Sequence, residues 1–303
     1  MPKFSRKNKT EEKPILNNQD NVLVAKTDTN SISVFSSSTT SQNPKYEKEI
    51  KSEYLISHYK LDEGSGSTAT DSGILGNNGT ISGATWTTNT LGQNVLSFDG
   101  TNDYVSITAT NIDGYFNQKS FSVCVWVKFD NSTHSVNEHV FTIFKANSTN
   151  EHLHLGWGSP KKIRIGFYGN DMDTGDNYSS IVKPQSWNHL SFVIDLENEN
   201  LSSSITNSIR TIYINGVKIK SENYSGILNV HGASACYIAR FGASDYLSGD
   251  LSDLRLYSCP LDQNDIISIY KKTSQRYFDF RQLLSSNLVG QWKLNEGTGT
   301  TAN

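Results

Sequence analysis

The 303 residues include only 3 Cys, 6 Pro and 2 Met, and neither charge sign dominates, with 27 Lys and Arg against 30 Asp and Glu. Each shortage excludes something. Three cysteines allow one bridge at most, and the scarcity of Pro argues against a low-complexity chain. A net charge of −3, with Lys and Arg scattered rather than striped, offers no basic field for a phosphate backbone, so no nucleic-acid partner is expected. No window approaches the roughly 18 to 20 apolar residues that a membrane span needs. The start, MPKFSRKNKT, is basic without the apolar stretch of a secretory signal. Neither membrane insertion nor ordinary secretion is expected, and the compartment stays open. Seven N-x-S/T sequons, at Asn8, Asn78, Asn131, Asn147, Asn177, Asn200 and Asn223, read as composition in a chain this rich in Asn, Ser and Thr.

What the chain does have is 35% hydrophobic and 11% aromatic residues with 22 Gly, enough for one large or two small cores. Residues 1–53 are Ser, Thr, Asn and Lys without periodicity and are expected to form a disordered tail or tether. From Leu55 the signal changes to short β-type runs separated by Gly, Asn, Asp and Ser clusters: VLSFDG, DYVSI, FSVCVWVKF, HVFTIFKA, EHLHLGW, KKIRIGF, WNHLSFVID, IRTIYINGVKIK, ACYIARFG and DLSDLRLYS. Phe121, Val123, Val125, Val127 and Phe129 make one fully apolar strand face. Asn215-Gly216, between two such runs, is the strongest hairpin signal. The single helical stretch, LDQNDIISIYKK, has Asp262 as its cap, Asp265 in the first turn, Lys271 and Lys272 in the last, and a stripe of Ile266, Ile269 and Tyr270. Many strands and one helix predict an all-β, two-sheet antiparallel sandwich.

The landmarks also have an order. HYKLDEGSGSTATDSG, with NNGTI after it, is followed by LSFDGTNDYVSI, FSVCVWVKF, SWNHLSFVID, TIYINGVKI and SGDLSDLRLYSCPLDQNDI. Together they resemble the laminin-G-like branch of the concanavalin A-like lectin and glucanase superfamily, over residues 55 to about 272. The resemblance implies a jelly roll whose first and last strands are neighbours, here a module over residues 54–273. It does not fix function, since such folds serve as lectins, glycosidases, adhesion modules and viral surface proteins. A connector, 274–287, leads to a partial second copy. Residues 288–303 match residues 55–70 at eight of sixteen positions. Two readings follow: a tandem-module protein met in part, or an orphan strand that pairs with another chain for self-association.

The resemblance carries site expectations as well. Members of this branch often hold a structural calcium ion where the ends of the module meet, and the matching positions here are Asp62, Asp71, Asn78 and Asp253; the alternative is that Asp253 pairs with Arg255 while Asp62 and Asp71 serve turns. Cys236 and Cys259 stand where the laminin-G disulfide lies, which requires an oxidising setting. Pentraxin-like members place an Asp-Asn calcium pair where this chain has Thr149-Asn150, a departure that removes one calcium ligand. IDLE, at residues 194–197, resembles the catalytic strand of laminarinase-type glucanases, but Val193 stands where their nucleophilic Glu would be. Asp195, Glu197 and Glu199 alone do not make a retaining pair, so no enzyme is expected.

Read from the residues themselves, the loop NDMDTGDN offers Asp171, Asp173 and Asp176 as oxygen ligands or as a solvated turn. His152 and His154 share a strand face and are half of a metal site or a plain alternating pair. Cys124, inside an apolar strand, reads as core. Trp157, Tyr168 and Trp86 are the aromatics that could stack on sugar rings, with core or strand packing as the alternative that the pattern favours for each, and Asn150 and the acidic loop lie beside them. The expected function is a non-catalytic, glycan-binding module on a tethered virion or extracellular surface protein. The alternative is a structural or adhesion protein that meets other proteins.

Overall fold

In the computed structural model the described residues are 26–27, 30–31, 49–130, 137–158, 162–175, 182–196, 208–224 and 226–279. The chain divides into Met1–Lys48 and Glu49–Asn303. The described part of the first is one short ladder of Lys26–Thr27 with Asn30–Ser31. Most of the expected tail and the whole second copy, 288–303, lie outside the described residues, and so does Asp176.

The second unit holds strands β1 (Leu55–Tyr59), β2 (Thr68–Ala69), β3 (Gly79–Ser82), β4 (Thr85–Thr88), β5 (Asn94–Asp99) and β6 (Tyr104–Ile107). Next come β7 (Phe121–Phe129), β8 (Glu138–Phe144), β9 (His152–Gly158), β10 (Lys162–Gly166), β11 (Met172–Asp173) and β12 (Asn188–Asp195). Then follow β13 (Ile209–Ile214), β14 (Val217–Asn223), β15 (Ala235–Ile238), β16 (Arg240–Phe241), β17 (Asp245–Tyr246), β18 (Ser248–Tyr257) and the helix α1 (Gln263–Ser274). Sheet one runs β11-β10-β9-β8-β15-β6-β3-β2, and sheet two runs β14-β13-β12-β7-β18-β5-β4 with β1 also on β18. All these pairings are antiparallel, and the architecture is a jelly-roll sandwich of the expected kind.

Alternation explains the core. Phe121, Val123, Val125, Val127 and Phe129 of β7 face Phe141, Ile143, Leu153, Leu155 and Trp157 of sheet one, all fully buried between the sheets. Burying a side chain of this size contributes about 1.5–3 kcal/mol. Asn215 and Gly216 both take positive φ, 51° and 80°, as a two-residue primed turn requires, so the NG signal gives the β13–β14 hairpin.

The outward residues of sheet two meet α1. Asp262 caps the helix by accepting from the backbone N–H groups of Asn264 and Asp265 at 2.8 and 2.9 Å, and Asp265 answers the Asp262 N–H at 3.0 Å. Ile266 and Ile269 then pack on Leu55, Cys124, Val193, Tyr213 and Tyr257. Trp126 donates to the Thr273 hydroxyl at 2.8 Å and stacks on Tyr270 and Tyr277 at 5.7 and 4.2 Å between centroids. The middle of this face of the sandwich is covered by α1 and the residues that follow it.

The disulfide expectation is corrected. All three cysteines are free and buried. Cys236 points into the core between the sheets, whereas Cys259 lies in the cluster under α1, so sheet two separates them. Burial pushes the Cys124 thiol up to about 12 and the Cys259 thiol up to about 11. Such thiols react only on opening. Reductant is therefore expected to leave the melting temperature unchanged; a drop of several degrees on reduction would restore the bridge.

Candidate functional site

The outer face of sheet one is built differently. Strand β9 alternates Leu153, Leu155 and Trp157 inward with His152 and His154 outward. A bulge in β8 between His139 and Phe141 turns Val140 into the core and brings His139 out opposite Gly156. Gly166 of β10 leaves room for the His154 ring, since a Cβ there would meet Nε2 at 1.9 Å. The hairpin of β16 and β17 then folds over the three imidazoles. Phe241 packs on His152, His139 and His154 at 4.3, 4.7 and 4.8 Å between centroids.

These histidines are almost fully buried, and neither ring nitrogen of His139 or His152 has a hydrogen-bond partner among the described residues. Desolvation, and then the neighbouring His154, lowers the His152 pKa to about 3; the same causes hold His139 far below the ordinary histidine range. Both rings are neutral at pH 7. Tyr168, 37% exposed and with φ of 54°, lies nearly parallel over His152 at 6.0 Å.

Beside them stands an acidic and basic cluster. Arg164 donates through Nε and Nη2 to the two carboxylate oxygens of Asp173 at 2.6 and 2.8 Å, and its Nη1 lies 3.5 Å from Asp171. Asp171 also accepts from the Phe167 N–H at 3.0 Å and faces His154 Nε2 at 3.6 Å. Burial opposes its ionisation, but His154 and Arg164 outweigh that and keep its pKa lowered. Farther along the same face, Tyr104 of β6 and Tyr237 of β15 meet edge to face at 5.4 Å. Both are half-buried, as are Phe241 and Tyr246.

The expected residues divide accordingly. Tyr168, Asp171 and Asp173 come together on this face. Trp157 does not: it is 0% exposed against Phe129, because the alternation that turns His152 and His154 out turns it in. Asn150 is spent on a loop clamp, accepting from Asn170 Nδ2 at 2.9 Å while its carbonyl takes the Asn229 N–H at 2.7 Å. Trp86 is half-buried at the other end, donating to the Gly66 carbonyl at 2.8 Å. Val193 and Asp195 of the IDLE strand belong to sheet two, with Val193 under α1. Glu197 and Glu199 lie outside the described residues.

The four residues expected to hold calcium do not make a cage. Asp253 is buried between His58 Nε2 at 2.6 Å and Arg255 Nε at 2.8 Å. Asp71 accepts three backbone N–H groups, from His58, Gly73 and Asn77, at 2.7, 2.8 and 2.9 Å. Asn78 Oδ1 takes the Asp71 N–H, and Asp62 pairs with Arg276 at 2.9 Å. A cation would have to displace these donors, and among the described residues no group of three or more His, Cys, Asp or Glu is arranged to bind a metal. His152 and His154 likewise belong to no such group, although His139 and Asp171 lie near them, and Phe241 packs against both rings.

A family model for laminin-G-type domains of the concanavalin A-like lectin/glucanases superfamily matches residues 99–267, more than half of the chain. The chain belongs to this superfamily. No curated protein sequence matches it. Among solved structures, this superfamily member is similar to domain 4 of AbnA, an extracellular arabinanase from Geobacillus stearothermophilus solved with arabinotriose. The identity is 20% and the TM-score 0.51, covering 72% of this chain and 98% of that one. It is also similar to the binding domain of botulinum neurotoxin serotype D, at 14% identity and TM-score 0.50, over 73% of this chain and 52% of the toxin domain. Trypanosoma rangeli sialidase matches at 13% identity and TM-score 0.51, over 76% of this chain and 34% of the sialidase. The chain thus spans about half of the toxin domain and a third of the sialidase, and at these identities the likeness is one of fold.

Several residues of the face escape a reading of the sequence. Alternation in DYVSI and ACYI could have found Tyr104 and Tyr237, opposite Val105, Ile107, Cys236 and Ile238. Nothing in the sequence marks His139, which faces out only because of the bulge, or Phe241, which arrives on a returning hairpin.

Proposed function

We propose that the outer face of sheet one is a non-catalytic binding surface for glycans. The observation that carries this reading is the asymmetry of the sandwich: α1 covers the middle of sheet two, whereas among the described residues no helix packs on sheet one, whose face presents Tyr168, Phe241, Tyr237 and Tyr104. Aromatic rings on a rigid sheet stack on the apolar faces of sugars without a large ordering cost. Asp171 and Asp173 stand ready as acceptors for hydroxyl groups, but Arg164 engages both, and neither is poised as a proton donor for glycoside cleavage. The arabinotriose held by the arabinanase domain supports a sugar ligand for this fold. No helix among the described residues is long and apolar enough to cross a membrane. The module would act at a virion or cell surface to which other parts of its protein attach it.

A glycan array followed by calorimetry tests the reading. Tyr168→Ala and Phe241→Ala are each expected to weaken the best ligand about tenfold, the ~1.4 kcal/mol of one stacked ring. No sugar should be released on long incubation. A chain that binds no glycan but captures a surface protein through the same face would favour the adhesion reading.

A further inference from the structure

The arginines among the described residues fall into two groups. Arg164, Arg210, Arg255 and Arg276 all pair with carboxylates: Asp173, Glu222, Asp253 and Asp62. Arg240 does not. Its Nε donates to the Gly242 carbonyl at 2.7 Å, and no acceptor among the described residues meets its terminal nitrogens. The nearest acidic group of its own hairpin, Asp245, is taken up by Asn137 Nδ2 at 3.3 Å and the Ser244 hydroxyl at 3.1 Å.

The position of this guanidinium is built rather than incidental. Ala239, fully buried with φ of 66°, lifts the chain out of β15 onto the outer face. The Thr142 hydroxyl then anchors the Arg240 carbonyl at 2.8 Å. Three tyrosines surround the side chain: Tyr104 and Tyr237 with ring centroids 4.6 Å from Cζ, and Tyr246 at 5.5 Å. An aromatic cradle fixes the plane of the guanidinium and removes much of its water, so that a bidentate anion would gain more there than at a free surface. With a net charge of −3, the chain has no general attraction for anions, so a preference for them needs a local cationic site such as this one.

We propose that Arg240, Tyr104, Tyr237 and Tyr246 form a subsite for the anionic group of an acidic sugar, a carboxylate or a sulfate, with the tyrosine rings receiving the sugar ring that bears it. The inference rests on the reading of this face as a glycan surface and names the class of glycan. Four strand intervals, from β6 through β15, β8 and β9 to β10, separate Tyr104 from the strand preceding Tyr168, about 19 Å at the usual strand spacing. A short oligosaccharide lying across the strands would put its acidic residue at Arg240 and a later ring near Tyr168.

Calorimetry of the full chain with oligogalacturonate, its methyl-esterified neutral form and a sulfated oligosaccharide tests the subsite and tells carboxylate from sulfate. An acidic ligand is expected to bind at least tenfold more tightly than the neutral one, with an advantage that shrinks as salt rises. Arg240→Gln should abolish the advantage while neutral binding persists; Arg240→Lys, which keeps the charge but not the planar fork, should retain part of it. Where a variant folds poorly, the salt dependence of the unaltered chain still decides: an acidic advantage that does not fall with salt counts against the subsite. Neutral binding without any acidic preference, or a preference that survives in Arg240→Gln, overturns the subsite and leaves the glycan reading standing. Binding of no sugar, acidic or neutral, overturns both.

Discussion

Between pH 6.5 and 4.5 two histidines, which take up a proton far less readily in the folded chain than in the unfolded one, are expected to remove about 5 kcal/mol of the sandwich's stability. His152 under Phe241 and His189 beside Trp126 are both buried, and desolvation first of all lowers each pKa to about 3. His154 adds to the shift at His152 while Asp171 opposes it; at His189, Asp253 opposes it and Arg255 adds to it. Unfolded, both would titrate near 6.5. The unfolded chain therefore binds more protons as pH falls, and stability, complete above about 6.5, drops by about 1.4 kcal/mol per pH unit for each ring until the folded pKa is reached. His139, lowered further, adds to the same slope. The lowered carboxylates Asp171 and Asp253 lose their contribution only below the unfolded carboxylate range, so they do not share this window; Asp103 and Asp130, raised by burial, soften the slope near its acid end. Denaturant titrations from pH 7.5 to 4.5 measure the slope. His152→Phe should leave stability at pH 7.5 nearly unchanged and flatten the acid limb. Parallel curves for this variant and the parent would show that the imidazole is not the titrating group.

Asp253→Asn should cost about 3 kcal/mol, lowering the melting temperature by roughly 6–12 °C, because it leaves Arg255 buried with a charge that its near neighbour no longer matches. Burial works against the Asp253 carboxylate, yet Arg255 and then His58 outweigh it and hold its pKa well below the usual carboxylate range. Asn tolerates the φ of 55° at this position, so the substitution tests charge rather than backbone strain. Glu49, which also contacts Arg255, keeps the loss at the lower end of the range for a broken buried pair. Adding Arg255→Met should recover much of the stability. Melts in calcium and in chelator should show the same loss; a calcium-dependent rise that disappears in Asp253→Asn would reinstate an ion at the junction.

How far the sequence can be read depends on the range of the interaction that decides each feature. The β13–β14 turn, the capped helix and the inward face of β7 follow from residues within a few positions of one another, and these are legible. The adjacency of β1 and β18 comes from the family resemblance, not from local chemistry. At the junction, the residues expected to hold calcium carry the right oxygens, but a carboxylate does not announce whether Arg255, Arg276 or a row of backbone N–H groups will claim it first. Trp157 follows its packing alternative and not the sugar-stacking one: its size and ring suit sugar stacking, but the alternation of HLHLGW turns it inward. Arg240 is invisible in the sequence because its three tyrosines come from β6, β15 and β17.

Strand β18 has one further consequence, in the order of synthesis. Its first half pairs with β5, its second half with β1, and Asp253 marks the change of partner. His58 and Asp253 are 195 residues apart. On a ribosome adding about 5–20 residues per second, β1 therefore waits roughly 10–40 seconds for its neighbour to be made. Until then β1, β5 and β7 have exposed edges that only β18 can cover, and a nascent chain held at that stage is a target for strand addition by another copy or for a chaperone. The strand that completes the sandwich is thus also the one whose arrival ends the chain's most hazardous interval.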